Sequence, residues 1–335
     1  MKKAFLITLS LALSGTGFAQ AKKFVTLRAD IANRNGDVIF IKENRNILKE
    51  IRVNKDGFFK DTLSVKKDGM YMMYDGVEYT QMYLKNGYDL KLKMDAKNFD
   101  ASIVYEGVGA AENNYLAKST VLEHEYEPTL MKLITADEAE FKKGLEAKKT
   151  ADLKRLKATK LDPNFVALQT KEIEESAKGL ESYYAQKAAL KKLNNTTPPT
   201  FSFDNYKGGT AKLEDYRGKY VYIDVWATWC GPCRAEIPHL KKLEEKYHGK
   251  NIEFVSISFD NPKDVEKWKN MVKTKEMGGE QLITTVETHK AMSSFFQITG
   301  IPRFILLDPN GKVVNADAPR PSDPDINQTI DSVLN

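Results

Sequence analysis

The chain has 335 residues, 41% hydrophobic and 29% charged, and its 51 Lys+Arg against 46 Asp+Glu leave a net charge of only +5. That balance gives no basis for a nucleic-acid surface, and the composition is that of an ordinary globular protein. The length allows two or three domains, each with its own core.

Lys2 and Lys3 precede an apolar run over 4–13, and small or polar residues follow through Ala19 and Ala21. This charged, apolar, small-residue order predicts a secretory signal over 1–21, with the mature chain starting near Gln20 or Lys22. A membrane anchor would need about 18 consecutive apolar residues, and Ser10, Ser14 and Thr16 cut the run short. No cysteine lies in or just after the segment to carry a lipid, and no later stretch is apolar enough to span a bilayer. The expected destination is therefore the periplasm, an oxidising compartment, without a lipid anchor.

Residues 22–109 read as an antiparallel β-sandwich. Strand-like runs at 24–31, 38–42, 47–53, 70–74, 78–84 and 88–94 are separated by Asn35-Gly36, Asp56-Gly57, Asp68-Gly69, Asp75-Gly76 and Asn86-Gly87. Such dipeptides favour the positive φ of tight hairpins. Leu90, Leu92 and Met94 alternate with Lys91, Lys93 and Asp95, giving one buried and one wet face. No catalytic constellation stands out here, so the region reads as a docking or spacer module.

Over 110–192 the period lengthens to between three and four. Thr135 with Glu138 predicts a capping box, and Asp162-Pro163 an N-cap and first helical position. Val166, Ile173, Ala177, Leu180 and Tyr184 then share one helical stripe. The helices are expected to pack on the sandwich or on a second copy of themselves, the latter making a homo-oligomer; spacing does not decide which. His124 reads as a surface or packing residue.

The polar, proline-bearing stretch 193–200 predicts a linker, with a new domain over 201–335. Apolar runs at 221–225 and 252–258 flank an amphipathic stretch over 233–247, a βαβ unit. Runs at 304–307 and 312–314 around Asp308-Pro309-Asn310-Gly311 predict a hairpin, and a last helix is expected over about 324–334, capped by Asp323. Within this region the only two cysteines of the chain stand two residues apart in Trp226-Ala227-Thr228-Trp229-Cys230-Gly231-Pro232-Cys233. A loop this short gains little from a structural disulfide, so the pair reads as a reversible redox couple. The alternative, a zinc site, needs two more ligands, and His239, His248 and His289 show no zinc-like spacing to the pair. No metal or cofactor is expected.

The approach Asp224-Val225-Trp226-Ala227, the Cys-Gly-Pro-Cys sequence, Pro238 and the later Gly300-Ile301-Pro302 together resemble the TlpA/ResA-type envelope thiol-disulfide oxidoreductases. The resemblance implies an α/β thioredoxin fold for this domain. More weakly, the sandwich and helices are similar in architecture to the amino-terminal extension of some envelope members. Cys230 stands just before a helix whose unpaired N–H groups favour a thiolate, which makes it the nucleophile. Cys233, one turn in, resolves the mixed disulfide. Pro232 suits the first helical position.

Resolution takes a proton from Cys233, and two carboxylates are candidates for it. Asp224 matches the buried aspartate of thioredoxin, and Glu236 matches a glutamate of ResA-type proteins; the alternative for each is a plain solvated or hydrogen-bonded carboxylate. The resemblance also implies that Ile301-Pro302 is cis and faces the cysteines, leaving the Ile301 backbone for an extended substrate. Arg303 either favours the Cys230 thiolate, selects acidic substrates or is a solvated surface residue, and Trp229 is expected on the docking surface. Trp226 reads as core.

The expected activity is reduction of disulfides in exported proteins, apocytochrome c among them, with re-reduction by a membrane thiol-electron donor. Gly231 stands where ResA carries an acidic residue, which points to a broader reductant than a dedicated cytochrome-maturation enzyme. The alternatives are a disulfide oxidase or isomerase, a thiol peroxidase, whose proline-bearing motif fails at Ile223, and a non-enzymatic envelope binding module.

Overall fold

The computed structural model describes residues 23–334, so the expected signal segment lies outside the described residues. The chain forms two compact units that divide between Glu181 and Ser182.

The first unit begins with β1 (Val25–Ala32), β2 (Val38–Glu43), β3 (Asn46–Arg52), β4 (Phe59–Leu63), β5 (Gly69–Tyr74), β6 (Tyr79–Leu84) and β7 (Asp89–Asp95). A short helix α1 (Phe99–Ser102) and β8 (Val104–Val108) follow. They make two four-stranded sheets, ordered β4-β1-β7-β8 and β3-β2-β5-β6. Pairing is antiparallel except between β1 and β7, which run parallel. Leu90, Leu92 and Met94 are buried, as the alternation requires, while Lys91 and Lys93 are exposed. Gly76 and Gly87 take φ of 105° and 102°, the conformation that turns at Asp-Gly and Asn-Gly call for. Gly36 and Gly69 do not, and Gly69 is instead the first residue of β5.

Three helices complete this unit or leave it: α2 (Ala110–Thr135), α3 (Glu138–Lys157) and α4 (Pro163–Lys191). The cap of α3 is Asp137, whose side chain accepts from the Glu140 N–H, not the expected Thr135. Thr135 ends α2, with its hydroxyl bonded back to the Lys132 carbonyl. Asp162 caps α4 as the sequence predicts, accepting from the N–H groups of Asn164 and Phe165. Phe165 is fully buried and packs edge-on against Tyr83 and Tyr115 in the core of the first unit.

The second unit starts inside α4, so the polar stretch at 193–200 lies within it. Its sheet has seven strands in the order β10-β9-β13-β12-β11-β14-β15. These are β9 (Ser202–Asn205), β10 (Thr210–Lys212), β11 (Tyr220–Trp226), β12 (Ile252–Ser258), β13 (Glu280–Ile283), β14 (Arg303–Leu307) and β15 (Val313–Asn315). The central strands β11, β12 and β13 are parallel, and β14 pairs antiparallel with β11. Helices α5 (Gly231–Lys246), α6 (Val265–Thr274), α7 (Val286–Phe295) and α8 (Ile326–Leu334) accompany the sheet. Core clusters containing Val225 with Ile305, and Leu240 with Phe304, bury residues of the sheet with α5 and the other helices. This is the α/β thioredoxin fold. The last helix begins at Ile326, two residues later than the sequence suggests, and Asp323 accepts from the Asp325 N–H at its approach.

Candidate active site

Strand β11 is buried from Val221 to Trp226 and carries the chain into the turn at Ala227-Thr228-Trp229. Asp260, 1% exposed, fixes that turn. Its Oδ2 accepts from the Thr228 N–H at 2.9 Å and from the Ser258 hydroxyl at 2.7 Å, while Oδ1 accepts from the Thr228 hydroxyl at 2.7 Å. A buried carboxylate filled this way is a rigid brace two residues before the first cysteine.

Helix α5 opens at Gly231, with Cys230 as its N-cap. The Cys230 Sγ accepts from the Cys233 N–H at 3.1 Å, so one of the helix's unpaired donors points at the sulfur. With the positive end of the helix behind it, this contact favours thiolate over thiol once the pair is reduced. Pro232 occupies the second helical position, one later than expected, where a missing N–H still removes no helical bond. Cys230 and Cys233 form a disulfide with Cα atoms 5.3 Å apart. Ile301-Pro302 is cis, and the Ile301 carbonyl oxygen lies 3.7 Å from the Cys230 Sγ. Both sulfurs are well covered, whereas Trp229 is 63% exposed beside them.

Asp224 is buried on β11, in register with Ser256 on one side and Phe304 on the other. Burial, and secondarily the charges of Glu236 and Glu244, push its carboxyl up to about 8. Glu236 is also buried, and Ser322 holds both of its oxygens, the N–H at 3.0 Å and the hydroxyl at 2.7 Å. It is a hydrogen-bonded carboxylate, and the solvated alternative is excluded. Glu244, which no sequence motif marks, has its carboxyl raised to about 7 by burial. It lies eleven residues after Cys233 on the same helix, a spacing that returns to the same face. Its Oε2 sits 2.2 Å from where a Cβ would stand at Gly278, so any other residue there would displace the carboxylate.

Arg303 corrects one expectation. It is 8% exposed, not a solvated surface residue, and its Nε lies 3.4 Å from Asp317 while its Nη1 donates to the Ala316 carbonyl at 3.3 Å. Asp317 also pairs with Lys187, near the end of α4. Sequence spacing gave no signal for Lys187, Asp317, Ser322 or Asp260. Among the described residues no group of three His, Cys, Asp or Glu side chains is placed to hold a metal ion.

Residues 218–313 match the thioredoxin-like family. The chain is 27% identical over 152 residues to the thiol-disulfide oxidoreductase ResA of Geobacillus thermodenitrificans, which takes in 45% of this chain and 83% of that protein. It is 37% identical to a Bacteroides vulgatus protein assigned to the thiol-disulfide oxidoreductases, covering 42% of this chain and 97% of that one, with a TM-score of 0.39. The second unit belongs to the thioredoxin-like thiol-disulfide oxidoreductases of the TlpA/ResA type. A second Bacteroides vulgatus structure, also assigned to the thiol-disulfide oxidoreductases, is 48% identical, covering 42% of this chain and 91% of that one, at a TM-score of 0.38. The family match falls wholly within the second unit.

Proposed function

We propose that the mature chain is a periplasmic thiol-disulfide reductase acting on exported proteins. The observation that carries this reading is the Cys230 sulfur, set on the Cys233 N–H at the start of α5 and facing the Ile301 carbonyl. In the reduced enzyme the Cys230 thiolate attacks a substrate disulfide, forming a mixed disulfide and releasing one substrate thiolate. The Cys233 sulfur then attacks Cys230, the second substrate thiolate leaves, and two electrons have passed from the dithiol to the substrate. The proton that Cys233 gives up goes to Asp224, whose carboxylate forms near pH 8 and is regenerated by loss to water. The backbone at Ile301 and the exposed Trp229 ring receive the extended segment around the target cysteine.

The resulting Cys230–Cys233 disulfide is reduced again by a membrane thiol-electron donor. Export rests on the signal-like order of residues 1–21, and none of the described helices is long and apolar enough to cross a membrane. With Gly231-Pro232 between the cysteines, apocytochrome c is one substrate of a broad set. Two measurements test the reading. The Cys230–Cys233 couple is expected to equilibrate at or below about −250 mV, while a value above about −180 mV would identify an oxidase or isomerase instead. Cys230→Ser is expected to abolish exchange; a variant that still reduces disulfides would remove Cys230 from the mechanism.

A further inference from the structure

A groove of about 530 Å³ opens beside the redox centre, bounded on one side by Thr299, Gly300 and Pro302 and on the other by the last turns of α4. It therefore begins within one residue of the Ile301 carbonyl that faces Cys230. All of its lining comes from the second unit. Gln186 donates to the Thr299 hydroxyl at 3.2 Å, and Lys187 pairs with Asp317, so α4 is fastened on both flanks of the cis-proline.

The charges in this groove do not cancel. Lys187 and Arg303 share the single carboxylate of Asp317, and the exposed Arg320 makes no ion pair among the described residues. The other acid, Asp323, accepts from the Asp325 N–H at the approach to α8. Lys187 bonds Asp317 and the Tyr183 side chain, which leaves one donor of its ammonium for a ligand. The exposed Tyr183 ring lies 5.5 Å from the Lys187 ammonium and gives the groove an apolar wall.

We propose that this groove selects substrates: it takes the polypeptide flanking the target disulfide and holds an acidic side chain there between Lys187 and Arg320. Lys187 and Arg320 are then specificity-determining residues, and neither touches the reacting sulfurs. The inference rests on the proposed disulfide exchange at Cys230. Its test compares exchange rates of the reduced mature protein with three substrates: 2-hydroxyethyl disulfide, a peptide disulfide flanked by Asp and Glu, and the same peptide flanked by Lys.

The acidic peptide is expected to react about five-fold faster than the basic one at low salt, a preference that fades as salt is raised. Arg320→Glu, at an exposed position, is expected to erase or invert the preference while 2-hydroxyethyl disulfide reacts as before, and Lys187→Gln to weaken it. Equal rates for the two peptides, or a preference that survives both substitutions, overturns the proposal. A uniform loss on all three substrates also overturns it, because that is the signature of a merely structural brace. Failure of the unmodified protein to react with 2-hydroxyethyl disulfide sinks the proposed function itself and takes this inference with it.

Discussion

Burial holds the Asp224 carboxyl protonated up to about pH 8, far above its ordinary 3.8, with the Glu236 and Glu244 charges adding to the effect. The unfolded chain ionises this group near pH 4, so the stability tied to its proton is fully present below that pH and is lost as pH rises toward 8. Asp224→Asn is therefore expected to stabilise the second unit by on the order of a few kcal/mol at pH 7, with the gain shrinking toward pH 4. Urea titrations at several pH values measure this; a variant less stable at pH 7 would show that the carboxylate is held by favourable contacts. Under the proposed mechanism the same proton also enters turnover. As the base for Cys233, Asp224 should make the rate of resolving the mixed disulfide climb with pH toward about 8, and Asp224→Asn should flatten that limb. A climb that persists unchanged in the variant assigns the proton transfer elsewhere. Cys230 and Cys233 stand out in the sequence because they are its two cysteines, three residues apart, while Asp224, six residues before Cys230, is singled out by its match to the buried aspartate of thioredoxin. The partners that decide Glu236 and Thr228 are not, because Ser322 lies 86 residues from Glu236 and Asp260 lies 32 from Thr228. Only the folded sheet brings them together.

At the scale of elements, hydrogen-bonding side chains at helix starts explain both the successes and the errors. Asp162 is read correctly because Asp-Pro there is followed directly by a stripe of helical period, and its carboxylate caps α4 twice while also pairing with Lys85 at 2.7 Å. Asp162→Ala is expected to cost the first unit about 1–2 kcal/mol, seen as a lower denaturation midpoint; no shift would mean that water replaces the cap at no cost. The capping box at Thr135 fails because Asp137, two residues on, offers a carboxylate to the same helix, leaving Thr135 as the end of α2. Strands β4 and β8 escape notice for a different reason. The residues of β4, Phe59-Lys60-Asp61-Thr62-Leu63, include two charges in five, and β8 contains Gly107, so neither has the apolar run that marks a strand. Their pairing is supplied by β1 and β7, which are already recognisable. The parallel pairing of β1 with β7 is equally hidden, since turn signals announce hairpins and say nothing of strands whose partners, such as Thr26 and Asp89, lie 63 residues apart.

At the scale of the molecule, a single helix supplies side chains to two cores. Phe165, near the start of α4, is fully buried in the first unit, while Leu190, near its end, is 3% exposed in the second and joins Phe201, Phe203 and Phe296. The polar stretch at 193–200 looks like the boundary in the sequence because composition changes there, yet Leu190 has already entered the second core before it begins. All three tryptophans, Trp226, Trp229 and Trp268, lie in the second unit, so their fluorescence follows that unit alone. Leu190→Ala removes a buried side chain from the core those tryptophans report on, and is expected to lower the fluorescence midpoint by a loss of about 2–5 kcal/mol. Phe165→Ala, with a cost of about 3–5 kcal/mol, should leave that midpoint in place and shift only the transition followed by far-ultraviolet circular dichroism. The pair of variants thus separates two physical pictures of α4. Independent shifts mean that each core melts with its own part of the helix, whereas a fluorescence midpoint that moves equally in both would mean that the helix ties the two units into one cooperative transition.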